Sequence, residues 1–358
     1  MKRVLKALFF VGRLFSPFYS MAMVLRAFLY RKNVLFRPEA LPVPVISVGN
    51  LTMGGTGKTP MVLYVARCLL GLGIKPAIVS RGYGGKARGA VHVVSDGSNI
   101  LLSPALAGDE PVMLAGAIPG VPVLIAPRRI RACRRAVSEF GAEVIVMDDG
   151  FQHLAVRRDV DLVLFGAGKF LGNGRVFPGG ELREPFFALK RAHAFVITGV
   201  DNDNRTEVNA FRRLLNGVFP EKPVFSGEYL PASLLHSKEE NTAFAIDRAR
   251  TIPLFGFAGI AHPDAFQRTL QRERFLLVGF KAYPDHHPYG AEDVKALVKS
   301  ALALGARALI TTEKDFVKLR PFFAEFPILA LKIELCMGED FDLFLSSCLG
   351  RKTEEAAT

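Results

Sequence analysis

The sequence predicts an α/β protein in which a parallel sheet covered by helices on both faces is followed by a second, smaller α/β domain. Three observations predict it. Short apolar runs recur with helical patterns between them. Those runs are continuous and rich in β-branched residues, as strands buried on both faces are. The chain has 358 residues, half of them hydrophobic and 22% charged, enough to bury two cores and too apolar for disorder.

The first segment, Val4 to Tyr30, is apolar and basic. Eight of the first forty residues are Lys or Arg and only Glu39 is acidic, so much of the formal net charge of +12 lies there. Lys6, Arg13 and Arg26 interrupt the apolar stretch. The longest uncharged run, Leu14 to Leu25, is shorter than the ~18–20 residues a spanning helix needs. Lys2, Lys6, Arg13, Ser16 and Ser20 share one side of a helix, whereas Leu5, Leu8, Phe9, Phe15 and Phe18 lie largely away from it. Residues 1–33 are therefore expected to form an amphipathic membrane helix lying in the interface, kinked or split at Pro17, with Arg26 off the polar stripe. A short tilted span and a signal peptide are the competing readings.

A nucleic-acid binder would spread its basic residues over a folded face with aromatics between them, so no nucleic-acid partner is expected. Cys68, Cys133, Cys336 and Cys348 lack paired spacing and read as small buried hydrophobes in a reducing compartment.

The apolar stretch Val43 to Val48 is followed by Gly54-Gly-Thr-Gly-Lys-Thr59 and then by a helical pattern, Met61 to Leu70. Strand, glycine loop and helix with Lys-Thr at the turn is the layout of a nucleotide phosphate cradle, which makes the larger domain of the P-loop NTPase type. Backbone N–H groups of Thr52, Met53, Gly54, Gly55, Thr56 and Gly57 would converge on phosphate, Lys58 would reach the β- and γ-phosphates, and the Thr59 hydroxyl would ligate Mg²⁺. The usual glycine at position 52 is replaced by Thr52.

Further strands are expected at Pro76–Ser80, Val123–Ala126, Val144–Met147, Leu162–Phe165 and Phe195–Thr198. The fourth of these six, counting the strand before the loop, ends in Asp148-Asp149, where a carboxylate of a phosphate-loop enzyme reaches the metal shell. An Asx turn would explain the same pair without a metal. Arg128, Arg129, Arg131, Arg134 and Arg135 make a basic helix that could help to hold an anion. The sequence turns polar near residues 202–225. A second αβ pattern follows, at Ile252–Phe257, Phe275–Gly279 and Ala308–Thr311. The expected division is 34–205 for the core, 206–350 for the second domain closing over the active site, and a frayed tail at 351–358.

The set Val48 to Pro60, Ser80-Arg-Gly-Tyr-Gly-Gly85, Gly108-Asp-Glu-Pro111, Asp148-Asp-Gly-Phe-Gln-His153, Arg158-Asp159, Gly172-Asn-Gly174, Leu182-Arg-Glu184 and Thr312-Glu-Lys-Asp315 resembles the tetraacyldisaccharide 4′-kinase family over nearly the whole chain. The resemblance implies transfer of the ATP γ-phosphoryl group to the 4′-hydroxyl of a tetraacyldisaccharide 1-phosphate, giving lipid IVA. It implies ATP and Mg²⁺ as cofactors and anchorage on the cytoplasmic face of the bacterial inner membrane, with no obligate protein partner. It further implies Asp109 as base, paired with His286 or its neighbour His287. Arg81, Tyr83, Glu110, Gln152, His153, Arg183 and Glu184 are the substrate-side residues by the same resemblance. A membrane-associated switch ATPase is the rival; its signature lysine falls at Met53, and it would hydrolyse ATP without a sugar acceptor.

Overall fold

The computed structural model describes residues 9–87, 89–237, 239–244, 246–260, 263–324 and 326–355. It divides into two compact units. The larger comprises Met1–Ala107, Leu114–Tyr229 and Leu335–Thr358; the smaller comprises Gly108–Met113 and Leu230–Glu334. The chain thus leaves the larger unit after Tyr229, beyond the polar stretch at 202–225, and returns to it at Leu335.

The larger unit starts with helix α1 (Ser16–Arg31), which Pro17 opens from its first turn. Residues 9–12 are helical and 13–15 form a turn, so the segment is split at the proline. Strand β1 (Val45–Asn50) leads through the glycine-rich loop to α2 (Lys58–Gly71). Next come β2 (Pro76–Ser80), β3 (His92–Ser95), the short α3 (Pro104–Ala107), α4 (Asp109–Ala117) and β4 (Val123–Ile125). They are followed by α5 (Arg129–Phe140), β5 (Val144–Asp148) and β6 (Val160–Gly166). A 3₁₀ turn, Phe186–Arg191, precedes β7 (Ala194–Thr198), α6 (Arg205–Val218) and β8 (Val224–His236).

The strand order is β8-β7-β6-β1-β5-β2-β4-β3. Every pair from β8 to β4 is parallel, and β3 closes the edge antiparallel to β4. Strands β1, β2, β5 and β7 are buried along their whole length, which is why their sequences show no alternation. One core gathers Phe165, Phe195, Phe211 and Phe219 under α6; another packs Val45, Val79, Leu124 and Ile145 against Ile130, Cys133 and Ala136 of α5.

The smaller unit contains β9 (Glu239–Phe244), which pairs with the far end of β8, and α7 (Ile246–Arg250). It continues through β10 (Leu254–Ala258), α8 (Pro263–Arg272), β11 (Leu277–Ala282), α9 (Ala291–Ala303), β12 (Ala308–Thr312), α10 (Glu313–Lys318) and β13 (Ile328–Met337). Its strands run parallel in the order β11-β10-β12-β13. Helix α11 (Glu339–Glu355) ends the chain; it continues past Gly350, where a frayed tail was expected, and residues 356–358 lie outside the described set.

The N-terminal helix docks on the protein through Ser16, Tyr19 and Arg26, whereas Arg13 of the expected polar stripe is exposed, which corrects part of the expected arrangement. The Ser16 hydroxyl donates to the Val176 carbonyl (2.7 Å), Tyr19 to that of Arg183 (3.3 Å) and the Arg26 guanidinium to that of Gln152 (3.0 Å). Arg26, which fits no polar stripe, is thereby explained as a docking residue. Leu14, Phe15, Phe18, Met21, Leu25 and Phe28 are exposed. No helix of the described residues is long and apolar enough to cross a membrane. Lys2, Lys6, Leu5 and Leu8 lie outside the described residues. The cysteines also depart from expectation: none of the four forms a disulfide, but only Cys133 is buried, and Cys336 is exposed.

Two histidines of the larger unit are harder to protonate in the folded chain than in water. Burial, then the guanidiniums of Arg129, Arg158, Arg26 and Arg81, push His153 from its ordinary 6.5 down to about 4. Burial also lowers His193, against the opposing charge of Asp161. The unfolded chain therefore binds more protons than the folded one between these values, and stability falls as pH drops through that window. His153→Gln should lose less of its urea midpoint than wild type between pH 6.5 and about 4, the residual slope coming from groups such as His193. Packing gives a second expectation. Phe165 stacks edge-on with Phe211 at 5.1 Å and is fully buried, so Phe165→Ala should cost about 3–5 kcal/mol in chemical denaturation.

Candidate active site

Parallel strands place their carboxyl ends on one edge, and in such sheets the functional groups gather there. In the larger unit Val48 of β1 lies beside Asp148 of β5, so the glycine-rich loop and the Asp148-Asp149 pair leave the sheet side by side. Thr52 of the loop bridges to Leu182, Met53 N–H donates to the Glu181 carbonyl (2.8 Å), and Arg183 N–H donates to that of Leu51 (2.8 Å). The loop is thus tied at its entry to the segment carrying Arg183.

Asn50, fully buried, organises its interior. The side-chain amide donates to the Thr56 hydroxyl (2.9 Å) and the Gly54 carbonyl (3.3 Å), while its Oδ1 accepts from Lys58 (3.4 Å). An ammonium only donates, so the amide orientation is fixed. Gly57 caps α2 in the left-handed region at φ +76°, and a Cβ there would meet the Tyr229 hydroxyl; only glycine fits. Lys58 and Thr59 occupy the first turn of α2, where unpaired backbone N–H groups and the positive end of the helix favour an anion.

The adjacent aspartates do different things. Asp148 is buried, and its Oδ2 accepts from the Ser80 hydroxyl at 2.9 Å. Asp149 adopts φ +49° and turns its carboxylate to Lys58 (3.5 Å) and Arg183 (2.8 Å). Burial alone would raise its pKa, but Lys58, Arg183 and Arg129 reverse that and hold the carboxyl below its usual range. The Arg129 guanidinium, itself buried, donates to the Asp149 carbonyl (2.8 Å). The basic helix divides: Arg129 faces the site, whereas Arg134 pairs with Glu39 and Arg135 with Glu139 near the surface.

A hard cation would find suitable donors here. The Thr59 hydroxyl and the Asp148 and Asp149 carboxylates are the oxygen ligands Mg²⁺ takes when phosphate supplies the remainder. The described residues contain no cluster of three or more His, Cys, Asp or Glu able to hold a metal by themselves.

Of the substrate-side residues, Gln152 reaches the Asn50 carbonyl (2.9 Å) and accepts from Arg183 (3.4 Å). Arg81 and Tyr83 are exposed beyond the end of β2. His153 Nε2 is buried without a hydrogen-bond partner. Glu184 is not open: it forms a buried two-point pair with Arg191 (2.9 and 3.1 Å), whose guanidinium stacks on Phe151. Asn50 and Lys169, which donates to the Met53 carbonyl at 3.0 Å, were missed from sequence. Asn closing an apolar strand just before glycines was a usable signal for the first, and Lys after the glycines ending β6 for the second.

The smaller unit brings together the other candidates. Asp109 opens α4, its Oδ2 3.8 Å from His286 Nδ1 and 3.4 Å from Lys318 Nζ. His286 sits at φ +59°, its backbone N–H bonded to the Gly259 carbonyl (3.0 Å). His287 turns elsewhere: it stacks on Tyr283 and lies 3.2 Å from Asp293. Between the two histidines, His286 is the one beside Asp109. Glu110 follows in the same first turn, half-buried.

Comparison with known proteins gives one answer. The family model described as tetraacyldisaccharide-1-P 4′-kinase, LpxK, matches residues 8–349. The tetraacyldisaccharide 4′-kinase of Desulfotalea psychrophila is 47% identical over 342 residues, 95% of this chain and 97% of the relative. That of Syntrophus aciditrophicus is 42% identical over 313 residues, 86% and 83% of the two chains. A crystal structure of LpxK from Aquifex aeolicus in complex with ATP, 30% identical, superposes with a TM-score of 0.76 over 94% of this chain and 97% of that one. The chain belongs to the tetraacyldisaccharide-1-P 4′-kinase family.

Proposed function

We propose that this protein transfers the γ-phosphoryl group of ATP to the 4′-hydroxyl of a tetraacyldisaccharide 1-phosphate. The observation that carries the reading is the cationic group around the glycine-rich loop, with Lys58 seated on Asn50 and Asp149, in a chain of this family. The loop is then a P-loop. Its backbone N–H groups and the start of α2 hold the phosphates, and Lys58 stabilises charge on the transferring group. Arg183 suits a phosphate contact. Magnesium held by Thr59 and Asp148 or Asp149 would neutralise charge on the β- and γ-phosphates.

A sugar hydroxyl is a poor nucleophile. As its oxygen bonds to the γ-phosphorus, the O–H bond breaks and the proton passes to Asp109. The bond from that phosphorus to the bridging oxygen breaks, and ADP leaves with the electron pair. His286 orients the Asp109 carboxylate. Arg81, Tyr83, Glu110, Gln152 and His153 remain the substrate-side set. Glu184 acts through Arg191. In place of a boundary near residue 205, we assign the larger unit to the kinase core and the smaller unit, Gly108–Met113 with Leu230–Glu334, to a domain that closes over the reactants and excludes water.

The exposed apolar face of α1 is suited to lie in the cytoplasmic interface of a bacterial inner membrane, where its lipid substrate resides. Ser16, Tyr19 and Arg26 are taken up by the protein, so attachment depends chiefly on Phe18, Leu25 and their exposed neighbours.

Purified protein with labelled ATP, Mg²⁺ and the disaccharide in detergent should yield 4′-phosphorylated lipid; absence of acceptor-dependent transfer would refute the reading. Asp109→Ala should lower kcat by at least ~10²-fold with ATP binding retained. Near-normal turnover would remove Asp109 as the base. For the membrane assignment, Phe18→Glu with Leu25→Glu should abolish co-sedimentation with phosphatidylethanolamine–phosphatidylglycerol vesicles. Undiminished sedimentation would place the attachment elsewhere.

A further inference from the structure

Lys314 and Lys318 lie four residues apart in α10 and therefore share one face. Each meets a different member of the Asp109–His286 pair. Lys314 Nζ lies 3.1 Å from His286 Nε2, and Lys318 Nζ lies 3.4 Å from Asp109 Oδ2. Both lysines are largely buried at the side chain, 19% and 10% exposed, so neither is a freely solvated surface charge.

The first contact has a chemical consequence. A lysine ammonium has three donors and no acceptor, so the ring nitrogen facing it must present a lone pair. In neutral imidazole one nitrogen carries the proton and the other accepts. With Nε2 accepting from Lys314, the proton lies on Nδ1, the nitrogen directed at Asp109 Oδ2 from 3.8 Å. We propose that Lys314 is a positioning residue of the transfer reaction: it fixes His286 as the Nδ1–H tautomer, so that the ring turns its N–H toward Asp109. Lys318 completes the arrangement by meeting the same oxygen, which leaves Asp109 Oδ1 for the acceptor hydroxyl. The inference rests on the kinase reading above and adds two residues to it.

The scaffold behind the lysines supports this. Asp315, fully buried between them, accepts from Gly259 N–H (2.8 Å) and from the Thr312 hydroxyl (3.0 Å), and its other oxygen lies 3.6 Å from Lys318. The Gly259 carbonyl receives His286 N–H. One carboxylate thus ties the helix bearing both lysines to the loop bearing the histidine. The charged groups facing His286 are Asp109 from α4, Lys314 from α10 and Asp285 from its own loop; those facing Asp109 are His286 and Lys318.

The test reads tautomer and turnover together. Full-length protein in detergent with ¹⁵N-labelled histidine gives the two ring-nitrogen shifts of His286, assigned by their loss in His286→Gln. Wild type should show a protonated Nδ1 and a lone-pair Nε2. Lys314→Met should shift the ring toward Nε2–H and lower kcat roughly 10- to 100-fold with KM for ATP unchanged, less than the ~10²–10⁴ of direct acid–base participation. Lys314→Arg, which also only donates, should restore both tautomer and most of kcat. Asp285→Asn, which removes the other partner of Lys314, should leave the tautomer as in wild type. A protonated Nε2 in wild type overturns the inference, as does a Lys314→Met protein with unaltered ring shifts. Should wild type show the Nδ1–H ring but make no phosphorylated disaccharide, the kinase reading fails and the tautomer assignment stands.

Discussion

The loop at the head of α2 depends on one buried amide. Asn50 ends a strand that is buried throughout, so its side chain has no water to turn to. An amide buried without partners costs several kcal/mol, and its partners come from the loop that follows and the start of α2. Two donated bonds pull Gly54 and Thr56 inward, and the remaining oxygen receives Lys58. Thr198, at the end of β7, fastens the loop from the other side by donating to the Thr56 carbonyl at 2.9 Å. The chain must then enter α2 through a left-handed residue under Tyr229, which is why position 57 is glycine. Lys58 is consequently aimed by the interior of the protein rather than by the loop alone.

What the sequence reveals follows from which signals are local. Strand, glycine loop, helix and the Asp pair are contiguous patterns, and each is found within a few residues of its observed bounds: the strand at Val45–Asn50, the helix at Lys58–Gly71 and the acidic strand end at Val144–Asp148. Strand β8 carries Gly227 and Pro231, residues that weaken any strand signal, and it gives no apolar run. Strand β3 is four residues long at an edge. Glu184 shows the limit for side chains. Its carboxylate is satisfied by Arg191, seven residues on, and nothing in the local pattern distinguishes that from a role toward substrate. The N-terminal helix shows a different limit. Its two faces are legible from periodicity, but which of them meets protein is decided by backbone carbonyls far along the chain, at Gln152, Val176 and Arg183.

The smaller unit repeats the lesson at higher resolution. Two adjacent histidines are equivalent in sequence, yet their surroundings differ. His287 is enclosed by Tyr283 and Tyr289 and lies against Asp293, a set that would hold any flat polar ring in place. His286 is turned out by its positive φ toward Asp109. Such a conformation for a non-glycine residue is uncommon, and here it is pinned by Asp315 through Gly259. The segment Thr312 to Asp315 thus has a structural task of its own.

The two aspartates closing β5 bear on how the larger unit accommodates so many cations. Arg129 is almost wholly buried, and burial lowers its pKa while the carboxylates of Asp149 and Asp148 oppose that effect. A guanidinium held there without them would be unsupportable. Asp149 answers Lys58 and Arg183 at the surface of the same group. Three cations against two carboxylates leave the group positive, and it stands at the amino end of a helix whose dipole has the same sign. Removing either acid would leave buried positive charge uncompensated, whereas an arriving polyphosphate would add to the compensation. In this arrangement the acids make the cationic group foldable, and the excess of cations gives it a field that would favour a highly charged anion over a neutral molecule.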